Sequence, residues 1–392
     1  MKVLSLFDGM ACGALAMQVA GIEIEKYIAY EVDKYAIQTA QQNFPFIEER
    51  GDVFTADFTQ YAGFDYLIGG SPCTYWSIAQ TKNRETVASG RGWELFSQYV
   101  RALHEAKPRF FLYENNKSMS AAIRASITET FGFEPILINS ALVSAQNRQR
   151  LYWCGIRQSD GTYKKADIQQ PADRGILLKD ILEINGLTWQ QKAYTVTATE
   201  GHGSTLQHCL EKHVRTQIAE PVCVAQRGRY DENGKVYQHY EAQPTGKTNN
   251  LTTVGKDNLI AEPICANSKS GRAGIDGLQP SLQDRIYDTA GKMPAVTTSF
   301  NPKIAEPLKV RGTTDVPIYE VKDGFVTVKG KQYPIKLVDG FYIIRKLTVR
   351  ECMRLQTVPE WYEWPVSKSQ AYKMLGNGWT VEVIAHLLRG LK

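Results

Sequence analysis

"FDYLIGGSPCTYWS", residues 64–77, is the stretch on which the reading of this chain turns. An apolar run, 64–70, ends in Gly69-Gly70, which marks a short buried strand. Ser71-Pro72-Cys73 follows at once. The proline ring restrains the backbone just before the thiol, and the two glycines leave room around it. A cysteine at the carboxyl end of a central strand can be aimed into a cleft. A free cysteine is more commonly a buried structural residue, and position alone leaves both readings open.

The flanking sequence alternates between strand and helix patterns. "KVLSLF" (2–7) reads as a buried strand, and "DGMACGALAMQVAG" turns on Gly9 and Gly13 into a helix. "EIEKYIAYEVD" (23–33) reads as a second strand, "KYAIQTAQQNF" (34–44) as a helix closed by Pro45. Beyond the opening stretch come a helix over 94–106, a strand over 109–115, a helix over 118–131, and the strands "PILINSAL" and "QRLYWCGI". Such alternation implies an α/β fold with a doubly wound, mostly parallel sheet, whose ligands sit at the carboxyl ends of the strands.

Bulk composition sets limits. The 392 residues suffice for one large or two moderate domains, and 43% hydrophobic with 22% charged residues is ordinary for a globular protein. A net charge of +5 permits a polyanionic partner without requiring one. Seven cysteines, at 12, 73, 154, 209, 223, 265 and 352, include no C-x-x-C pair, so no metal site is expected and a reducing compartment fits. Asp8-Gly9 interrupts the apolar N-terminal stretch, which argues against a signal peptide, and no run reaches about 18 apolar residues.

The unusual residues fall at strand ends. Phe7-Asp8-Gly9, with Gly13 four residues past Gly9, makes a glycine-bearing turn into a helix, where backbone amides can approach a ligand closely. The pattern is not G-x-G-x-x-G, and an ordinary tight turn explains it equally. Glu31 ends the second strand at the spacing of a ribose-binding acid, while Asp33 beside it can simply cap the next helix. Asp52 stands where a third strand should end and could accept an adenine amino group. Together the three positions favour an adenosine-containing cofactor. Glu114 follows an apolar strand and is a candidate proton donor. Arg148 and Arg150, two apart at a strand start, share a face and can direct guanidinium groups at Glu114 and at a polar ring, although a pair of surface arginines is the plainer reading.

Thiol, carboxylic acid and arginine suit one reaction closely. Carbon 5 of a pyrimidine is a poor nucleophile until a thiolate adds at carbon 6. An acid at N3 neutralises the charge that addition creates. An arginine can hold the exocyclic oxygen and orient that acid.

Six segments resemble motifs of the DNA (cytosine-5-)methyltransferase family, in the family's order: "SLFDGMACGALAM", "GGSPCTYWS", "YENN", "QNRQR", "RKLTVRECMRLQTVPEWY" (345–362) and "MLGNGWTVEVIAHLL" (374–388). They cover roughly 1–156 and 345–392. Details of "SLFDG", "GGSPC" and "GWTVEVIAHLL" look like the mammalian de novo enzymes, whereas the long insert suggests a bacterial or phage protein. The resemblance implies a Rossmann-like catalytic domain, 1–156 plus 345–392, that binds S-adenosyl-L-methionine and releases S-adenosyl-L-homocysteine, with a β-rich target-recognition domain inserted at 157–344. It implies Cys73 as nucleophile, Glu114 as the N3 acid, Arg150 on the base and Arg148 nearby. Phe7 would stack on adenine, Glu31 would bind the ribose, Asp52 the adenine amino group, and Asn377, Gly378 and Trp379 would flank the methionine part. Asp8, Gly9, Met10, Cys12 and Gly13, Val32, Val53 and Pro72 complete the implied cofactor pocket. Two departures stand out: Asn116 where the family usually has Val, and Gly378-Trp379 where it usually has Ser-Val.

The segment 157–344 repeats itself. "IAEPVCV" begins at 218, "IAEPICA" at 260 and "IAEPLKV" at 304, spaced by 42 and 44 residues, with Thr/Val-rich runs before them. Such spacings mark repeated supersecondary units, and Asp/Asn-Gly-type turns imply hairpins. Its 24 Lys and Arg against 21 Asp and Glu make no basic block. By resemblance it reads base edges in the major groove, with Arg227, Arg229, Arg272, Arg285 and Lys303 as candidate contacts. The target base must be flipped out to meet Cys73, and the loop 74–92, through Ser77 for instance, would close over it. The implied partners are double-stranded DNA, with the enzyme a monomer accompanied by a cognate restriction endonuclease; no membrane is implied, and the expected location is the bacterial cytosol or nucleoid. Two alternatives stay open: a transfer-RNA cytosine methyltransferase and a catalytically idle DNA-binding regulator. The H-x-E…P-C-x-x-C signature of zinc deaminases is missing.

Overall fold

Residues 2–6, KVLSL, are buried on both faces, which places this strand inside a sheet covered on both sides. The protein is described by a computed structural model covering residues 1–77, 84–183, 186–221, 224–230, 236–242 and 317–391. In chain order the first elements are β1 (Lys2–Leu6), α1 (Cys12–Ala20), β2 (Lys26–Tyr30), α2 (Lys34–Asn43), β3 (Glu48–Glu49), β4 (Tyr66–Gly69), α3 (Gly90–Ala106), β5 (Phe110–Asn116), α4 (Ala121–Phe131), β6 (Ile136–Asn139), β7 (Gln149–Arg157) and β8 (Tyr163–Lys165). Then come α5 (Leu206–Lys212), β9 (Gln217–Pro221), β10 (Val224–Tyr230), β11 (Val236–Ala242), β12 (Ile318–Lys322), β13 (Phe325–Val328), β14 (Lys331–Pro334) and β15 (Gly340–Lys346), followed by α6 (Val349–Leu355), α7 (Lys368–Asn377) and α8 (Val381–Gly390).

The main sheet runs β3-β2-β1-β4-β5-β7-β6. β3, β2, β1, β4 and β5 are parallel, as the strand-helix alternation implies. β7 runs antiparallel to both β5 and β6. The cause is connection length: residues 140–148 are too few for a crossover, so β6 and β7 form a hairpin. β6 covers only the first part of β7, and β8 pairs the last part, Gly155–Arg157. The chain moves outward from β1 to β2 and β3, then returns to place β4 on the other side of β1. The loops after β1 and β4 diverge at that switch point, where open α/β sheets bind ligands.

The chain divides into two compact units. The first joins Met1–Ile181, Lys192–Gly203 and Thr348–Lys392. It extends past the boundary at 156 expected from sequence, for visible reasons. Ala193 bridges Gln146 in parallel. Lys192 Nζ donates to the carbonyls of Ala141, Ser144 and Ile176. At the other end of the chain, the apolar face of α8 packs against α1, and a Thr348–Glu351 capping box starts α6.

The second unit, Leu182–Gln191 with Ser204–Leu347, holds α5, the antiparallel sheet β14-β13-β12-β15-β9 and the hairpin β10-β11. Asp323-Gly324 and Lys329-Gly330 link β12 to β13 and β13 to β14 with positive φ at all four residues, the geometry of two-residue hairpin turns. Val321, Val326, Val328, Tyr333 and Tyr342 make its core. The first repeat copy, at 218, begins in β9; the copies at 260 and 304 lie outside the described residues.

Gly376 shows how tightly the 192–203 segment is held: a Cβ on it would collide with the backbone of Thr197 and Ala198. Backbone cannot give way as a side chain can, so Gly376→Ala is expected to destabilise by about 1–3 kcal/mol. Thermal denaturation should register a drop of roughly 3–10 °C.

Candidate active site

The turn after β4 carries Cys73 on a short 3-10 turn, with the amides of Trp76 and Ser77 bonded back to its carbonyl at 3.1 and 2.9 Å. Two residues of β5 fix the turn from behind. Asn115 Nδ2 donates to Ser71 O at 3.1 Å, and the Ser71 and Tyr113 hydroxyls share a hydrogen bond of 2.6 Å. The Cys73 thiol is free and partly buried. Burial pushes its pKa up, the guanidinium groups of Arg150 and Arg148 pull it down, and the Glu114 carboxylate adds to the rise; the net direction is upward.

Glu114 lies between two donors. Arg150 Nε meets its Oε1 at 3.1 Å, in an ion pair whose side chains are only 15% and 12% exposed. Trp379 Nε1 donates to its Oε2 at 3.0 Å. Gly70 is a necessity of this packing: a Cβ there would lie 2.8 Å from both the carbonyl and Oε2 of Glu114. Asn116, the departure noted in the sequence, turns inward. Its Nδ2 donates to Asn115 Oδ1 and its Oδ1 accepts from Ser118 Oγ.

Arg148 does not join Arg150 on the carboxylate. It is 3% exposed, and its guanidinium donates to the carbonyls of Val196 (3.0 Å), Gly376 (3.1 Å) and Gly378 (2.8 Å). The expected shared face fails because β7 begins at Gln149, so Arg148 precedes the pleat. Burial, and then the like charge of Arg150, lower its pKa to about 10, which leaves it protonated at neutral pH. Gln146 and Gln356 extend the same buried network. Gln146 donates to Leu355 O and accepts from Val196 N, while Gln356 donates to Leu375 O and accepts from Thr380 Oγ1. Both glutamines lie inside segments that resemble family motifs, Gln146 at the head of "QNRQR" and Gln356 within 345–362, although the sequence reading assigned neither a role.

The turn after β1 holds Phe7, Gly9 and Ala11 at positive φ, a contorted path that turns successive amides toward the strand ends. Gly9 N donates to Glu31 Oε2 at 2.9 Å, and Glu31 Oε1 accepts from the amides of Val32 and Asp33. Asp33 caps α2 through Tyr35 N. Asp52 is exposed, follows β3 by three residues and caps the turn Val53–Thr55. Gly13 lies against the Tyr27 hydroxyl and Ile68, where a Cβ has no room. Met10 and Cys12 are buried, and a Cβ on Gly378 would sit 3.0 Å from Met374 O and 3.1 Å from Cys12 Sγ, a tight fit. Val53 is buried, whereas Val32, Pro72 and Asn377 are exposed.

Sequence reasoning overlooked Glu49. Register aligns it with Ala29 and Ser5, so the three share one face of the sheet. Neither carboxylate oxygen of Glu49 has a hydrogen-bond partner, nor does Asp8 Oδ2. Burial, with Asp8 and Glu31 nearby, raises the Glu49 pKa to about 8. Burial likewise raises Asp8 to about 6, against the lowering effect of its bonds from Ser5 and Tyr27. Among the described residues no group of acids, histidines and cysteines could hold a metal ion.

Of the candidate DNA contacts, Ser77 stands just after the Cys73 turn, and Arg227 and Arg229 stand on β10. Arg272, Arg285 and Lys303 lie outside the described residues, as do 78–83 of the loop. The base of that loop is anchored: Trp76 is fully buried, Glu85 accepts from its indole, and Arg84 donates to its carbonyl.

A profile of the C-5 cytosine-specific DNA methylase family matches residues 1–392, and the chain belongs to that family. It is 26% identical to the orphan methyltransferase M.SPRI of Bacillus phage SPR, over all of this chain and 97% of the relative. It is 24% identical to the type II methyltransferase M.HgiCI of Herpetosiphon aurantiacus, again over 100% and 97%. The crystal structure of a Spodoptera frugiperda DNMT2 shares the fold, with a TM-score of 0.51 at 14% identity, covering 100% of this chain and 99% of that one. The protein is therefore a C-5 cytosine DNA methyltransferase, an enzyme class dependent on S-adenosylmethionine. Among the described residues no helix is long and apolar enough to cross a membrane.

Both arginines should matter for stability. Arg148→Met strands three buried carbonyls and is expected to cost about 3 kcal/mol, and Arg150→Met, which leaves the mostly buried Glu114 carboxylate without its ion pair, should cost a comparable amount, about 3 kcal/mol, as read from denaturant titrations. Glu49 gives a pH signature. Its folded pKa lies above that of the unfolded chain, so stability falls as pH rises from about 4.5 to 8. Glu49→Gln should remove that slope, raising stability by roughly 2–4 kcal/mol at pH 8.5 and hardly at pH 4.5, as read from denaturant titrations at both values.

Proposed function

We propose that this enzyme methylates carbon 5 of a cytosine flipped out of duplex DNA, with Cys73 as nucleophile and Glu114 as the acid at N3. The observation that carries the assignment is the Cys73–Glu114–Arg150 corner, in which a partly buried thiol feels both an ion-paired carboxyl and two guanidinium groups. Burial keeps the Cys73 thiol protonated in the free protein, so its ionisation accompanies docking of the base. Arg150 holds Glu114 and offers its remaining N–H groups to the exocyclic oxygen. Arg148 is a positioning residue that ties the last motif to the start of β7.

The donor set suits S-adenosylmethionine. Glu31 offers a carboxylate to a ribose diol, and exposed Asp52 can accept an adenine amino group. The carboxylates of Glu31 and Asp8 favour a cationic sulfonium ligand. Phe7, Met10, Cys12, Gly378 and Trp379 supply the apolar and backbone surfaces around it, with Gly9, Gly13, Val32, Val53, Pro72 and Asn377 at its edges. When bound, the cofactor supplies an electrophilic methyl group.

The first unit is the catalytic domain in this reading and the second the target-recognition domain. Arg227 and Arg229 on the β10-β11 hairpin support a groove contact, with Arg272, Arg285 and Lys303 as further candidates. The enzyme acts as a monomer within a restriction-modification setting.

Transfer of labelled methyl groups to mixed-sequence duplex DNA, followed by bisulfite sequencing, tests this. Protected cytosines should fall in one short context and vanish with Cys73→Ala. Transfer to RNA instead of DNA would overturn the substrate assignment.

A further inference from the structure

Trp379 stands where two parts of the site meet. Its backbone carbonyl accepts from the Cys12 thiol at 3.8 Å, which ties its main chain to the turn after β1. Its indole points the other way and donates to Glu114 Oε2 at 3.0 Å, while Arg150 takes Oε1. Each oxygen of the Glu114 carboxyl therefore has its own donor. An indole N–H can only donate, and its bond strengthens when the acceptor becomes charged.

The surroundings of Glu114 isolate this contact. Arg150, Arg148, Cys73, Tyr113, Tyr152 and Cys12 all interact with it electrostatically. Trp379 differs from Arg150, the other donor to the carboxyl, in being neutral, so deleting its N–H changes the hydrogen bonding of Glu114 without changing the charge of the site. Gly70 keeps the space beside Oε2 open.

We propose that Trp379 is a positioning residue for the chemical step: its indole N–H aims the Glu114 carboxyl and stabilises the carboxylate formed when Glu114 protonates N3. The inference rests on the reading of Glu114 as the N3 acid. The thiol proton passes to solvent as Cys73 Sγ bonds to C6; the C5=C6 electron pair shifts to C4–C5 and the C4=N3 pair to N3, which takes the proton from Glu114. C5 then takes up an electrophile, the C4–C5 pair making the new bond and the N3 pair restoring C4=N3; in elimination a base takes the C5 hydrogen, its bonding pair forms C5=C6 as Sγ leaves with its own pair, and N3 returns its proton to Glu114. Nothing is oxidised or reduced. Negative charge arrives at Glu114 during addition, so a neutral donor fixed on Oε2 gains strength as the transition state forms.

The test is Trp379→Phe, with replacement of Trp379 by a benzothienyl isostere as the variant that keeps ring size and deletes only the N–H. Three readouts go together. Single-turnover methyl transfer should fall about tenfold, the loss expected for one charge-assisted hydrogen bond, and binding of S-adenosylhomocysteine by calorimetry should stay within about twofold of wild type. Exchange of the cytosine C5 hydrogen with solvent, which needs Cys73 addition and N3 protonation but no methyl group, should fall by the same factor as transfer. Unchanged exchange with weakened cofactor binding would overturn the proposal and confine Trp379 to the cofactor pocket. Full activity in both variants, with Glu114→Gln inactive, would also sink it while sparing the role of Glu114. Wild-type activity that survives Glu114→Gln would sink the underlying reading instead.

Discussion

The first unit depends on one buried guanidinium. Arg148 is almost wholly removed from water without a carboxylate hydrogen-bonded to it, an expensive arrangement unless every donor finds an acceptor. It finds carbonyls of Val196, Gly376 and Gly378, from two segments far from it in sequence. Gln146, Gln356, Thr380 and Ser140 extend the network, with Ser140 and Thr380 sharing a 2.8 Å hydroxyl bond. This cross-tie sets Gly378 and Trp379 against Met10 and Cys12 on one side and Glu114 on the other. A half-satisfied version of such a network would be worse than an apolar core, so all its members have to be present together.

The two halves of the site handle charge differently. At the catalytic corner Glu114 is paired by Arg150 and receives a neutral donor from Trp379. At the ends of β1, β2 and β3, Asp8, Glu31 and Glu49 are drawn together, Asp8 and Glu31 take hydrogen bonds from neutral hydroxyl and amide donors, and burial raises the pKa of Asp8 and Glu49. The first corner gives each Glu114 oxygen its own donor. The second carries orphaned carboxylate oxygens that a ligand with positive charge or hydroxyl donors would satisfy.

Local sequence carried much of this. The parallel core strands and their helices follow from apolar runs alternating with helical spacing, and α2 runs almost to the expected bounds because Asp33 caps it and Pro45 follows. Cys73 and Glu114 were legible because both follow apolar strands at glycine-bearing or polar breaks. Arg148 was misread because two-residue spacing implies a shared face only inside a strand, and the strand begins one residue later. Glu49 was invisible because an acidic doublet before arginine reads as solvated surface. Its burial comes from its alignment beside Ala29 and Ser5.

By itself, then, the sequence determined the α/β class, the order of the motifs, and the residue types able to perform thiol-dependent methylation. Hydrophobic period and turn chemistry are local properties, expressed within a few residues of where they act. Only the tertiary structure decided which arginine meets Glu114, that Trp379 touches both the turn after β1 and Glu114, and that residues 192–203 belong with the first unit. These are pairings across tens to hundreds of residues. They are settled by competition for buried hydrogen-bond partners, which no local pattern encodes.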